Sequence, residues 1–90
     1  MGKKSEWRYS VCANIYSEEE SEYIHHFDGE SFNDENEAYK FWNAWWPDKT
    51  EIDKVVVDWL KVNPDDELSI QIGLWDNDTG EDIEFFSESV

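Results

Sequence analysis

Between Asn33 and Pro47 the chain reads NDENEAYKFWNAWWP, in which Ala38, Phe41, Trp42 and Trp45 fall at i, i+3, i+4 and i+7. That spacing puts all four on one stripe of an α-helix about three turns long. Ser31 or Asn33 is placed to cap the first turn, and Asp34, Glu35 and Glu37 suit the positive end of the helix dipole. Pro47 cannot extend a helix that has just ended in Trp45-Trp46. A helix with this much ring surface on one side needs a sheet to lie on.

The flanking sequence supplies strands. Residues 6–16, EWRYSVCANIY, alternate: Trp7, Tyr9, Val11, Ala13 and Ile15 share one face and Arg8, Ser10, Cys12 and Asn14 the other. A polar connection, Ser17 to Ser21, leads to a second strand at residues 22–27, EYIHHF. Asp28-Gly29-Glu30-Ser31 then carries the turn chemistry that introduces the helix. After the helix, residues 52–62, IDKVVVDWLKV, read two ways. Ile52, Val55, Val56, Trp59 and Leu60 fit a helical stripe with Thr50 and Asp53 as a capping box, yet three consecutive valines are stiff at χ1 and favour a pleated strand. The strand reading is adopted, because the turn at residues 63–67 leads straight into another apolar run. In that run, LSIQIGLW, Leu68, Ile70, Ile72 and Leu74 alternate with Ser69, Gln71 and Gly73; a hairpin loop, DNDTGED, and a last strand from Ile83 follow.

The expected fold is therefore α+β: an antiparallel β-sheet in ββαβββ order, with one aromatic-rich helix packed on one face and the other face open. If Leu68, Ile70, Ile72 and Leu74 face the helix, Trp75 points to the open face; Phe86, out of step with Ile83 and Phe85, is expected there too, covering Gly73. Ninety residues imply one domain spanning 1–90. Such a domain buries roughly two thirds of its unfolded surface, and its 15 aromatic residues enlarge that modest core. The net charge of −16 alone argues for disorder, but 39% hydrophobic and 17% aromatic content argue more strongly for folding.

The charge is unevenly distributed. Between Tyr9 and Tyr39 there is no Lys or Arg but nine acids, and from Val62 onward there are again nine acids and no basic residue. A charge run is most simply a solvated face. Read functionally, an extended negative field imitates a phosphate backbone, which carries one charge per roughly 1.7 Å of duplex, and draws in basic surfaces by electrostatic steering. The same profile excludes direct binding of DNA or RNA, which needs a basic patch. In kind, and without any shared motif, the profile resembles the small acidic decoys with which phages and plasmids block restriction or CRISPR nucleases.

Other chemistry finds little support. His25 and His26 are adjacent on a strand and so point to opposite faces, unable to chelate one ion together. The loop from Asp76 misses the calcium pattern: positions 6 and 12 hold Glu81 and Ser87 instead of Gly and Glu. Cys12 is the chain's one cysteine, with no basic neighbour to activate it, so it reads as a small strand residue. No nucleophile triad or phosphate-binding fingerprint is present, and paired carboxylates are too common here to indicate glycosidase chemistry. The first residues, Met1-Gly2-Lys3-Lys4-Ser5-Glu6, lack an apolar signal region and a myristoylation pattern, and the chain has no apolar run of membrane-spanning length.

The expectation is a cytoplasmic, non-enzymatic protein with no cofactor or metal, binding a basic nucleic-acid-binding protein such as a nuclease or effector complex. Its contacts would come from Glu18, Glu19, Glu20 and Glu22, from Asp65, Asp66 and Glu67, and from Asp76, Asp78, Glu81, Asp82 and Glu84, with Trp75 as an apolar anchor. Two rivals share the composition. One is an immunity protein against a basic toxin nuclease; the other is a structural domain that forms a homodimer through its open sheet face.

Overall fold

The computed structural model describes residues 7–90; Lys3, Lys4 and Glu6, which enter the sequence reading, lie outside the described residues. The elements run β1 (Tyr9–Ser17), β2 (Glu22–Phe32), α1 (Glu35–Ala44), α2 (Lys49–Val62), β3 (Leu68–Asp76) and β4 (Asp82–Ser89). The fold is thus α+β, with the order ββααββ instead of the expected ββαβββ. The described residues form one antiparallel, four-stranded sheet, in spatial order β2-β1-β3-β4.

The segment expected as a third strand is helix α2. Asp48 caps it by accepting the Thr50 backbone N–H at 2.9 Å, in place of the Thr50–Asp53 box. In a helix, Val55 to Val57 lose only a few tenths of a kcal/mol each relative to better helix formers. Burying Ile52 and packing Val55, Val56, Trp59 and Leu60 against the core outweighs that. Helix α1 is capped by Asp34, whose side chain accepts the Asn36 N–H, not by Ser31 or Asn33. Its apolar stripe lies over the sheet, with Ala38 fully buried and Phe41 set between the rings of Phe32 and Trp45.

Tyr9, Val11, Ala13, Ile15 and Ser17 of β1 pair with Asp76, Leu74, Ile72, Ile70 and Leu68 of β3, and all ten are buried under the helices. The expected turn at residues 28–31 is instead the second half of β2, interrupted by a bulge: Val11 pairs with Glu30 and Cys12 with Asp28, leaving Gly29 as the extra residue. Glycine is required there, since a methyl group would collide with the Val11 carbonyl, and the Trp45 ring approaches the same spot. At the far edge, Phe86 pairs with Ile72 and meets Trp46, so it lies on the helix face. The ring over Gly73 is that of Trp75, with Phe85 paired opposite. The expected position of Phe86 is therefore corrected by one residue. No described helix is long and apolar enough to cross a membrane.

Candidate acidic interface

The acids proposed for partner contact fall at the two ends of the sheet. At one end, Glu18, Glu19 and Glu20 form the β1–β2 turn, Glu22 opens β2, and Asp65, Asp66 and Glu67 lead into β3. A backbone hydrogen bond from Glu18 to the Glu67 carbonyl, 3.0 Å, ties the two loops together. At the other end, Asp76, Asp78, Glu81 and Asp82 make the β3–β4 hairpin, closed by the Asp76 N–H on the Glu81 carbonyl and by Gly80 at positive φ. Nine residues of β3 separate the ends, about 26 Å at roughly 3.3 Å per residue. That is several Debye lengths at physiological salt, so the ends act as two patches. Asp82, Glu84 and Glu88 run between them along β4, an edge strand.

Two of the acids are spent inside the molecule. Asp66 is 8% exposed and accepts hydrogen bonds from the Ser17 hydroxyl (2.5 Å), the Trp59 indole N–H (2.6 Å) and the Glu19 backbone N–H (3.0 Å). Burial pushes its carboxyl up, but these donors outweigh burial and hold it below the ordinary carboxylate range. Asp76 is 7% exposed; it accepts the Asp78 N–H at 2.8 Å and pairs with the Arg8 guanidinium at 3.2 Å. Burial raises its carboxyl too, and the Asp78 N–H, followed by Arg8, brings it below the usual value. Composition cannot separate these two from their exposed neighbours. The one advance signal was Trp59, whose indole N–H needs an acceptor if 52–62 is helical.

The cations are segregated. Among the described residues all four lysines, Lys40, Lys49, Lys54 and Lys61, lie on the helices. Residues 34–63 carry seven acids against those four, whereas residues 7–33 and 64–90 carry fifteen acids against Arg8 alone. Of these four lysines, Lys49 shares a groove with Glu88 of β4, and none lies in the loops at the two acidic ends.

The open sheet face is different again. Trp75 donates its indole N–H to the Asn77 side chain, which in turn reaches Ser10 at 2.7 Å. His26 lies within hydrogen-bond distance of Asn14 and Asp28 on this face, while His25 sits on the helix side, 3.2 Å from Glu51. The two histidines are thus on opposite faces, as their adjacency requires. Cys12 is buried and its thiol is pushed up to about 11, chiefly by burial and then by Asp28, which leaves it protonated and unreactive near neutrality. No family model, curated protein or solved structure matches this chain.

Proposed function

We propose that this protein is a non-enzymatic acidic inhibitor that occupies the nucleic-acid-binding surface of a basic protein, a nuclease or effector complex. The observation that carries the reading is the segregation of charge. Outside the helical segment the described residues carry a net charge of −14, on a molecule 45 Å long. The partner on this reading has a basic groove at least as long as β3, contacting both acidic ends and the β4 edge between them. Contact falls to Glu18, Glu19, Glu20, Glu22, Asp65 and Glu67 at one end and to Asp78, Glu81, Asp82 and Glu84 at the other, with Asp66 and Asp76 holding the loops that present them. An immunity protein against one toxin nuclease would use the same surface.

Immobilised protein challenged with lysate at low salt is expected to retain nucleic-acid-binding proteins that are released by added duplex DNA, and by salt with a steep log–log slope. Glutamine at Glu18, Glu19 and Glu20 should lower both retention and slope. Retention that DNA does not compete away would sink the proposal.

One observation favours a second reading, a homodimer through the open sheet face. At its paired positions that face carries two acids, Asp28, held against His26, and Asp82, opposite Trp75, in a chain with 23 acids. A sparsely charged face rich in Ser, Asn and aromatic rings suits another such surface. Sedimentation across concentrations decides: a dimer that Trp75→Ala dissociates supports this reading, and a monomer at all concentrations removes it.

A further inference from the structure

On the helix side of the sheet, between the end of α1 and β4, lies a cavity of about 280 Å³ lined by Trp42, Asn43, Trp45, Trp46, Ile72 and Phe86. Four of its six lining residues are aromatic. Trp42 is fixed by its indole N–H on the Ile72 carbonyl at 3.3 Å, and Trp45 is stacked on Phe41. Trp46 and Phe86 meet edge to face at 6.2 Å yet remain 42% and 40% exposed. Trp42 and Trp45 pack against the core, whereas Trp46 and Phe86 do not.

The electrostatics of the cavity have one sign. Phe86 pairs with Ile72, so Glu84 and Glu88, two residues to either side on β4, share its face; Glu88 also lines the neighbouring groove under Trp46. Helix α1 points its carboxyl end here, with no basic residue in its last turn to complement the dipole. Lys49 lines that neighbouring groove together with Glu88, on the other side of Trp46, and no cation lines this cavity. Aromatic walls, the Glu84 carboxylate on the same face of β4 and a helix carboxyl terminus favour a positive charge with an apolar stem. Ligand pockets for drug-sized molecules span roughly 300–1,000 Å³, so this one suits a single long side chain.

We propose that this cavity is an aromatic cage for one arginine side chain of the basic partner, an inference that rests on the functional reading above. Arginine is preferred to lysine because the guanidinium is planar, weakly hydrated, stacks on indole and offers paired N–H donors to a carboxylate. The cage would add side-chain discrimination to the sequence-blind attraction of the acidic ends.

The test uses ¹⁵N-labelled protein and lysine-rich nonapeptides that carry arginine, lysine or the neutral isostere citrulline at the central position. The arginine peptide is expected to bind about two- to fivefold more tightly than the lysine peptide, and to shift the indole N–H resonances of Trp42 and Trp46. Paired Trp46→Leu and Phe86→Leu substitutions keep apolar volume and should abolish the arginine preference while leaving the lysine peptide's affinity unchanged. Phe86→Leu alone, on an exposed edge, gives the same readout if the pair perturbs folding. Equal affinity for arginine and lysine, a preference that survives loss of the rings, or no binding of the arginine peptide at millimolar concentration and low salt would each overturn the cage. Equal affinity for the two peptides, or a preference that survives loss of the rings, leaves competition between DNA and the acidic ends untouched, so the two proposals fail separately.

Discussion

Where β1 turns into β2, Asp66 is held by three neutral donors; at the opposite end of the sheet, Asp76 at nearly equal burial is held by a backbone N–H and a cation. The difference decides how much negative charge each end presents. Dipoles stabilise a buried carboxylate without cancelling it, so the Asp66 end keeps the full charge of Glu18, Glu19, Glu20, Glu22, Asp65, Asp66 and Glu67. Arg8 lies 3.2 Å from Asp76 and 3.8 Å from Asp78 and partly neutralises its end. The Asp66 end is therefore the stronger anionic patch, and its architecture is insensitive to salt.

The comparison breaks most sharply at Asp66. Asp66→Ala strands the Ser17 hydroxyl, the Trp59 indole N–H and the Glu19 N–H around a lost acceptor. It is expected to lower the thermal midpoint by about 10 °C or more, followed by circular dichroism. Acid probes the same carboxylate. Both aspartates have folded-state pKa values below their unfolded ones. Their contribution is therefore complete above the unfolded value near about 4 and is lost as pH falls through the folded values. Denaturant unfolding between pH 7 and pH 3 should show stability dropping below about pH 4. Asp66→Asn should flatten that drop, taking up about one proton fewer on unfolding; an unchanged profile would remove Asp66 from the acid response.

These two residues also mark where sequence stopped being informative. Alternation in β1 and β3 made the core face readable, because one face is buried and the period is two. Helix α2 was not readable from its valines, since their χ1 preference and its apolar stripe point to different structures, and packing against the sheet decides between them. Asp28-Gly29 has the composition of a turn and is a bulge, because the collision that demands glycine comes from Val11 across the ladder. Asp66 and Asp76 look like their neighbours because composition carries no depth. The clustering of acids was visible in advance; their division between two ends, and the placing of the described lysines on the helices, required the topology.

The Asp76 end should respond more weakly and with the opposite salt behaviour. Arg8 is half exposed, so its pairing is screened. Arg8→Gln is expected to lower the midpoint by about 2–4 °C at low salt and to leave it nearly unchanged in 1 M salt. The same substitution should strengthen binding to a basic partner, because it uncovers Asp76 and Asp78. A salt-independent loss would mean that the guanidinium acts through packing on Tyr9, whose ring centroid is 5.4 Å away.

The smallest effect is expected in the turn of the stronger end, and its sign is positive. Ser21 closes the β1–β2 turn with φ of 54°, a left-handed conformation that costs a side-chain-bearing residue. Its hydroxyl makes only a 3.5 Å contact with the Glu18 carbonyl. Ser21→Gly relieves the backbone and gives up little, so a gain of about 0.5–1 kcal/mol is expected in denaturant unfolding. Because the substitution leaves Glu18, Glu19, Glu20 and Asp66 in place, partner affinity should not change. Weaker binding in a more stable variant would show that the acids are presented by a turn whose strained shape the partner recognises, and that the patch is more than a sum of charges.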